Sequence, residues 1–131
     1  MNIEIGIKNE VTSIVTEENT AAKAKSGSLP VFATPFMVAL MEQAASELCD
    51  KFTDEGITTV GTALNIEHLA ATAVGASVRA VATVTAFDGR KISFCVEAYD
   101  NAGIIGKGTH ERFSVKSEKF MIKAEERRNS N

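Results

Sequence analysis

Histidine is the side chain whose unperturbed pKa lies nearest neutral pH, which is what a general base requires. This chain has two, His68 and His110. His68 closes a run in which Val60, Thr62, Leu64, Ile66 and His68 would share one strand face, and Gly61, Ala63, Asn65 and Glu67 the other. It is either a core imidazole with satisfied nitrogens or a base at the strand's end. Thr34 precedes Pro35 at the start of a helical pattern, where a threonine would cap the helix through its oxygen. A capping oxygen still carries a proton that a base can take, so cap and nucleophile are compatible roles. Glu42 falls in mid-helix, roughly 140° around from Met37 at about 100° per residue, on the flank of the apolar stripe. There a carboxylate is either solvated or held at a site, and a partly buried one must be paired or shifted in pKa.

His110 competes with His68. It shares a strand face with Gly106, Gly108 and Arg112, and we expect a supporting or structural role for it. Arg112 would meet an anion or form a salt bridge with Glu42 or Glu111. Gly61 would permit close backbone approach. On one unbroken helix Thr34 and Glu42 are about 12 Å apart along the axis, at ~1.5 Å per residue. They cannot share a hydrogen bond there. Either His68 and a substrate bridge them, or they meet across a two-fold axis.

The elements that position these residues follow from periodicity. Met37, Leu40, Met41, Ala44 and Leu48 form one stripe of a helix from about Thr34 to Phe52, ending before Asp54-Glu55-Gly56. Ile3, Ile5 and Ile7 alternate as a strand, with strand character again from Val11 to Val15. Glu17–Ser28 reads as a loop with a short helical turn at Thr20–Lys25. Val60–His68 is followed by two further alternating runs: Val78, Ala80, Ala82, Val84 and Ala86, then Ile92, Phe94, Val96 and Ala98. Asp88-Gly89 and Asn101-Ala102-Gly103 are the turns that flank the latter. Ile104–Val115 is the last long strand, and Ser117 to Asn131 is a charged tail, helical or frayed. One long helix cannot cover both faces of such a sheet, but it fills the concave side of a curved one. The expected class is α+β: a curved antiparallel five-stranded sheet around one central helix, in a single domain 1–131 with its core at about 3–116.

A net charge of −3 argues against a nucleic-acid binder, which would show a basic face. No apolar run approaches the roughly 20 residues of a membrane span, and Met1-Asn2-Ile3-Glu4 leads straight into a strand pattern rather than a signal peptide. The expectation is a cytoplasmic protein. Cys49 and Cys95 lack metal-ligand spacing and read as small packing residues, and no metal site is expected.

Four motifs are more specific than the pattern. Ala33-Thr34-Pro35 with Ala39-Leu40-Met41-Glu42, Val60-Gly61-Thr62 through His68, Asp88-Gly89-Arg90-Lys91, and Gly106-Lys107-Gly108-Thr109-His110-Glu111-Arg112-Phe113 resemble, in order and spacing, the fluoroacetyl-CoA-thioesterase-like branch of the hotdog superfamily. The resemblance covers roughly Val31 to Val115. It implies catalytic roles for Thr34, Glu42 and His68, and substrate-binding roles for Gly61 and Arg112. Gly61 would polarise the thioester carbonyl through its N–H. It further implies hydrolysis of an acyl-CoA thioester without metal or redox cofactor, in a homodimer with room for higher assembly, whose sheets join edge to edge. Fluoroacetyl specificity in the family goes with an aromatic lid before the helix. Ala21–Leu29 has no aromatic residue, so the expected substrate is a small or medium acyl-CoA. The rival readings are a non-catalytic acyl-CoA-binding module and an enoyl thioester hydratase, against which the lack of a compact Asp-to-His motif weighs.

Overall fold

The structure, a computed structural model, describes residues 1–130; Asn131, the last residue of the expected tail, lies outside them. Its elements are β1 (Lys8–Ile14), a 3-10 turn at Glu17–Asn19, α1 (Ala21–Ala24), α2 (Thr34–Asp50), β2 (Ile57–His68), β3 (Ser77–Phe87), β4 (Lys91–Asp100), β5 (Gly103–Lys116) and α3 (Ser117–Ser130). The strands form one sheet in the order β1-β3-β4-β5-β2, antiparallel at every pairing. Its concave face holds α2. Val78, Ala80, Ala82 and Val84 of β3 and Ile92, Phe94, Val96 and Ala98 of β4 are buried against Met37, Leu40, Met41, Ala44 and Leu48. The expected stripe of α2 is the observed one, with Ala45 and Cys49 added.

Several local expectations change. The alternation at Ile3–Ile7 does not make a strand. Gly6 adopts φ 96 within a turn, so Ile3 drops into the core, Ile5 stays 69% exposed and pairing starts at Lys8. A left-handed backbone breaks the extended run, and glycine takes it at no steric cost. Thr34 is the first helical residue, not the cap. Ala33 holds the extended N-cap conformation (φ −73, ψ 141) without a side-chain cap bond. The helix stops at Asp50, short of Phe52. Ala86 is exposed because the register shifts between Val84 and Ala86, which turns Phe87 inward instead. Cys49 packs in the core, whereas Cys95 is exposed. Ser117–Ser130 is helical, with no buried residue.

The most consequential change lies in β2. Directly opposed residues of a sheet share a face. Gly61 opposes Arg112, Leu64 opposes His110, Ile66 opposes Gly108 and His68 opposes Gly106, with a register shift between Gly61 and Ala63. The extra residue of this bulge carries Gly61 onto the same face as His68, where simple alternation would separate them. Close packing of β5 on β2 needs its glycines. A Cβ at Gly108 would collide with the Asn65 carbonyl oxygen, and one at Gly106 would stand 2.5 Å from Met37 Sδ.

Candidate active site

The first cluster sits at the N-terminus of α2. Thr34 Oγ1 lies 2.8 Å from His68 Nδ1. Thr34 is exposed at the helix mouth because Ala33, fully buried, takes the cap position and frees the hydroxyl from any capping bond. The opposite ring nitrogen, His68 Nε2, is buried with no hydrogen-bond partner among the described residues. Burial of the ring lowers the His68 pKa below its ordinary value, partly offset by the Ala70 carbonyl. The imidazole is therefore neutral at neutral pH. With the Thr34 hydroxyl donating to Nδ1, the ring can accept that proton, and the positive end of the α2 dipole stabilises the negative charge left on the oxygen. A cleft of about 330 Å³ opens onto the pair, lined by Ala21, Ser26, Phe32 and Ala70 among others.

The second cluster lies about 12 Å further along α2 at ~1.5 Å per residue, around Glu42. Glu42 Oε2 is 3.9 Å from Arg112 Nη1, and a Cβ on Gly61 would stand only 2.8 Å from that carboxylate oxygen. Arg112 is buried but fully engaged. Its Nε donates to Thr59 Oγ1 at 2.9 Å and its Nη2 to the Thr59 carbonyl at 2.9 Å. Its Nη1 lies 3.2 Å from His110 Nε2. Arginine can only donate, so His110 Nε2 accepts, and its Nδ1 carries the proton that goes to the Ala63 carbonyl at 2.9 Å. His110 is 1% exposed and stacks on Phe94 with ring centroids 5.9 Å apart. Burial, followed by the Arg112 charge, lowers its pKa, against the Ala63 bond and the Glu42 and Glu111 charges.

The five residues singled out in the sequence thus fall into two groups within one chain: Thr34 with His68, and Glu42 with Gly61 and Arg112. Glu42 pairs with Arg112, not His68. Thr59 and the grip of His110 on Ala63 were not foreseen. Thr59 carried no signal of its own, but the break in β2 alternation needed to bring Gly61 and His68 together could have pointed to the bulge.

A five-stranded antiparallel sheet curved round one long helix is the hotdog architecture, shared with solved members of the thioesterase superfamily. Residues 15–118 match the family model described as fluoroacetyl-CoA-specific thioesterase. The fluoroacetyl-CoA thioesterase of Streptantibioticus cattleyicolor is 40% identical over 97 residues, 74% of this chain and 70% of that protein. A solved structure of the fluoroacetyl-CoA thioesterase FlK superposes with a TM-score of 0.90 at 32% identity, covering 96% of this chain and 98% of that one. A Thermus thermophilus member of the thioesterase superfamily superposes at 0.88 with 30% identity, over 99% of this chain and 98% of its own. The chain belongs to the fluoroacetyl-CoA-specific thioesterase family.

Proposed function

We propose that this protein hydrolyses a small or medium acyl-CoA thioester to the free acid and CoA, with Thr34, Glu42 and His68 as catalytic residues, Gly61 binding the substrate carbonyl and Arg112 supporting Glu42. The observation that carries this is the 2.8 Å contact between Thr34 Oγ1 and a neutral His68 at the helix N-terminus. His68 Nδ1 takes the proton from Thr34, or from a water held by it, as the oxygen attacks the thioester carbonyl. The C–S bond breaks and the same proton leaves with the CoA sulfur. If the acyl group has passed to Thr34, water releases it by the same base. Gly61 N–H of a second copy donates to the carbonyl oxygen as charge develops there. The steps draw on side chains and backbone of two copies of this chain, with CoA entering as part of the substrate.

Glu42 completes the site from a second copy of the chain. β2 is an edge strand of 12 residues, and Leu64 in its middle is 43% exposed. A long unpaired edge is a template for pairing. An antiparallel β2–β2 pairing centred on Asn65, with Leu64 opposite Ile66 and the bulge residue Thr62 left unpaired, sets Gly61 of one copy opposite His68 of the other, and so brings the Glu42 cluster toward the orphaned His68 Nε2. The carboxylate there would stabilise the imidazolium. The cleft at Thr34 takes no aromatic side chain from α1, and we assign it a short or medium acyl chain. Among the described residues no helix is long and apolar enough to cross a membrane. The proposed reading is of a cytoplasmic enzyme.

Thiol release over a panel of acyl-CoAs, from acetyl to long-chain and aryl, tests the activity. Turnover of short or medium members is expected; binding without release of CoA would make the protein an acyl-CoA-binding module instead. Leu64→Glu, which sets like charges near the proposed axis, should convert dimer to monomer by light scattering and abolish turnover together. A monomeric, fully active wild type would remove the shared site.

A further inference from the structure

A second recess lies away from both clusters, where α3 leaves the sheet. This cleft of about 520 Å³ is bounded by the start of β2, the β3–β4 turn, the end of β5 and the first turns of α3. Its size is that of a small-ligand site. Arg90, Lys116, Lys119 and Lys123 line it, and no acidic residue does. In a chain with 14 basic and 17 acidic residues, four cations converging without a carboxylate is a local reversal of the overall charge. None of the four takes part in an ion pair among the described residues, where the basic partners are Lys23, Arg79, Lys91 and Arg112. Asp88, beside Arg90 in the turn, is occupied by the amides of Arg90 and Lys91 at 3.0 and 2.7 Å. The cleft also has an apolar wall, formed by Ile57 and by Phe120, which is 42% exposed.

Unpaired cations around an exposed aromatic ring suit a ligand that combines phosphates with a flat ring system, which is the chemistry of a nucleotide. We propose that this cleft binds the 3′-phosphoadenosine diphosphate end of the acyl-CoA substrate. Lys119 and Lys123, one turn apart on α3, would meet the phosphates together with Arg90 and Lys116, and Phe120 would carry the adenine. The reach is right. Ile57 lies four residues before Gly61 on β2, about 13 Å at ~3.3 Å per residue. The pantetheine arm from sulfur to diphosphate has about thirteen chain bonds, equivalent to roughly four extended residues or ~15 Å. The span from a thioester at Gly61 to the cleft thus matches the length of the arm. The assignment rests on the acyl-CoA reading of the active site, and α3 would then serve binding rather than the core.

The test separates the two ideas. Lys119→Ala/Lys123→Ala, whose side chains are exposed on α3, should fold as the wild type. With the acyl-CoA that the wild type turns over best, KM should rise at least ~10-fold with kcat unchanged, because the interaction is made equally in ground and transition states. With the matching acyl-pantetheine, which lacks the nucleotide, wild type and variant should behave alike. Adenosine 3′,5′-bisphosphate should bind the wild type by calorimetry and the variant at least ~10-fold more weakly, whether or not any thioester is turned over. An unchanged KM for acyl-CoA, equal affinity of both proteins for the bisphosphate, or equally tight binding of inorganic phosphate would overturn the assignment. An inactive wild type that still binds the bisphosphate in the cleft would leave the subsite standing and the hydrolase reading refuted.

Discussion

His110 Nδ1 holds the carbonyl of Ala63 at 2.9 Å, and so pins the bulge that turns Gly61 toward the site. The other nitrogen of the ring accepts from Arg112, which in turn faces Glu42. One buried neutral ring therefore sets the positions of a backbone amide and a carboxylate. His110→Asn keeps an amide N–H where Nδ1 stood and should retain most activity, as a supporting role requires. His110→Ala should lose both grips. We expect a kcat reduction of ~10-fold or more with little change in KM, and destabilisation of about 3 kcal/mol from the emptied core position. Equal kinetics for Asn and Ala would mean that the ring only fills space.

Thr34 makes no capping bond, so its contribution to stability and to chemistry should separate cleanly. Thr34→Ser should fold and retain substantial activity. Thr34→Ala should lose activity yet keep the wild-type melting temperature, without the ~1 kcal/mol penalty of a lost cap. Wild-type turnover in the alanine variant would show that water attacks without help from Thr34.

Removing a general base costs about 10²–10⁴ in rate. His68→Asn should therefore fold, bind a non-hydrolysable acyl-CoA analogue and lose at least ~100-fold in kcat. The wild-type rate should fall with decreasing pH, with its acid limb below the ordinary histidine value of about 6.5, because burial depresses the His68 pKa. Stability follows the same direction. His68 and His110 both have lowered pKa values in the fold, so the unfolded chain takes up protons first as pH drops. Their contribution is intact above about pH 6.5 and is lost progressively below it. A flat acid limb, or one above pH 7, would exclude His68 as the base.

Two glycines that look alike in the sequence should fail differently. At Gly61 an added Cβ meets the free end of Glu42 at 2.8 Å and the His110 ring at 3.1 Å. The carboxylate can swing away, so Gly61→Ala should stay folded and lose activity by ~10-fold or more. At Gly108 the obstacle is the backbone oxygen of Asn65, which cannot move without parting β2 from β5. Gly108→Ala should cost at least the ~1–3 kcal/mol usual for overpacking, measured by urea denaturation. A soluble, stable Gly108→Ala protein would contradict the strand spacing.

The helix from Thr34, the alternating strands β3 and β4, both hairpin turns and the choice of Thr34, Glu42, His68, Gly61 and Arg112 as site residues all came from the sequence, because each is a local pattern or a motif. Periodicity reports which residues can share a face while the backbone stays regular. It cannot report where the backbone departs from regularity. The strand-like run at Ile3–Ile7 yielded to a left-handed Gly6, and the cap assigned to Thr34 passed to Ala33. The faces of β2 were divided wrongly because the bulge depends on His110, 47 residues away. Tertiary contact alone decided that Thr34 pairs with His68 while Glu42 pairs with Arg112. Both pairings join α2 to a strand, and such distances are fixed by how a helix seats on a sheet, which spacing within either element leaves undetermined.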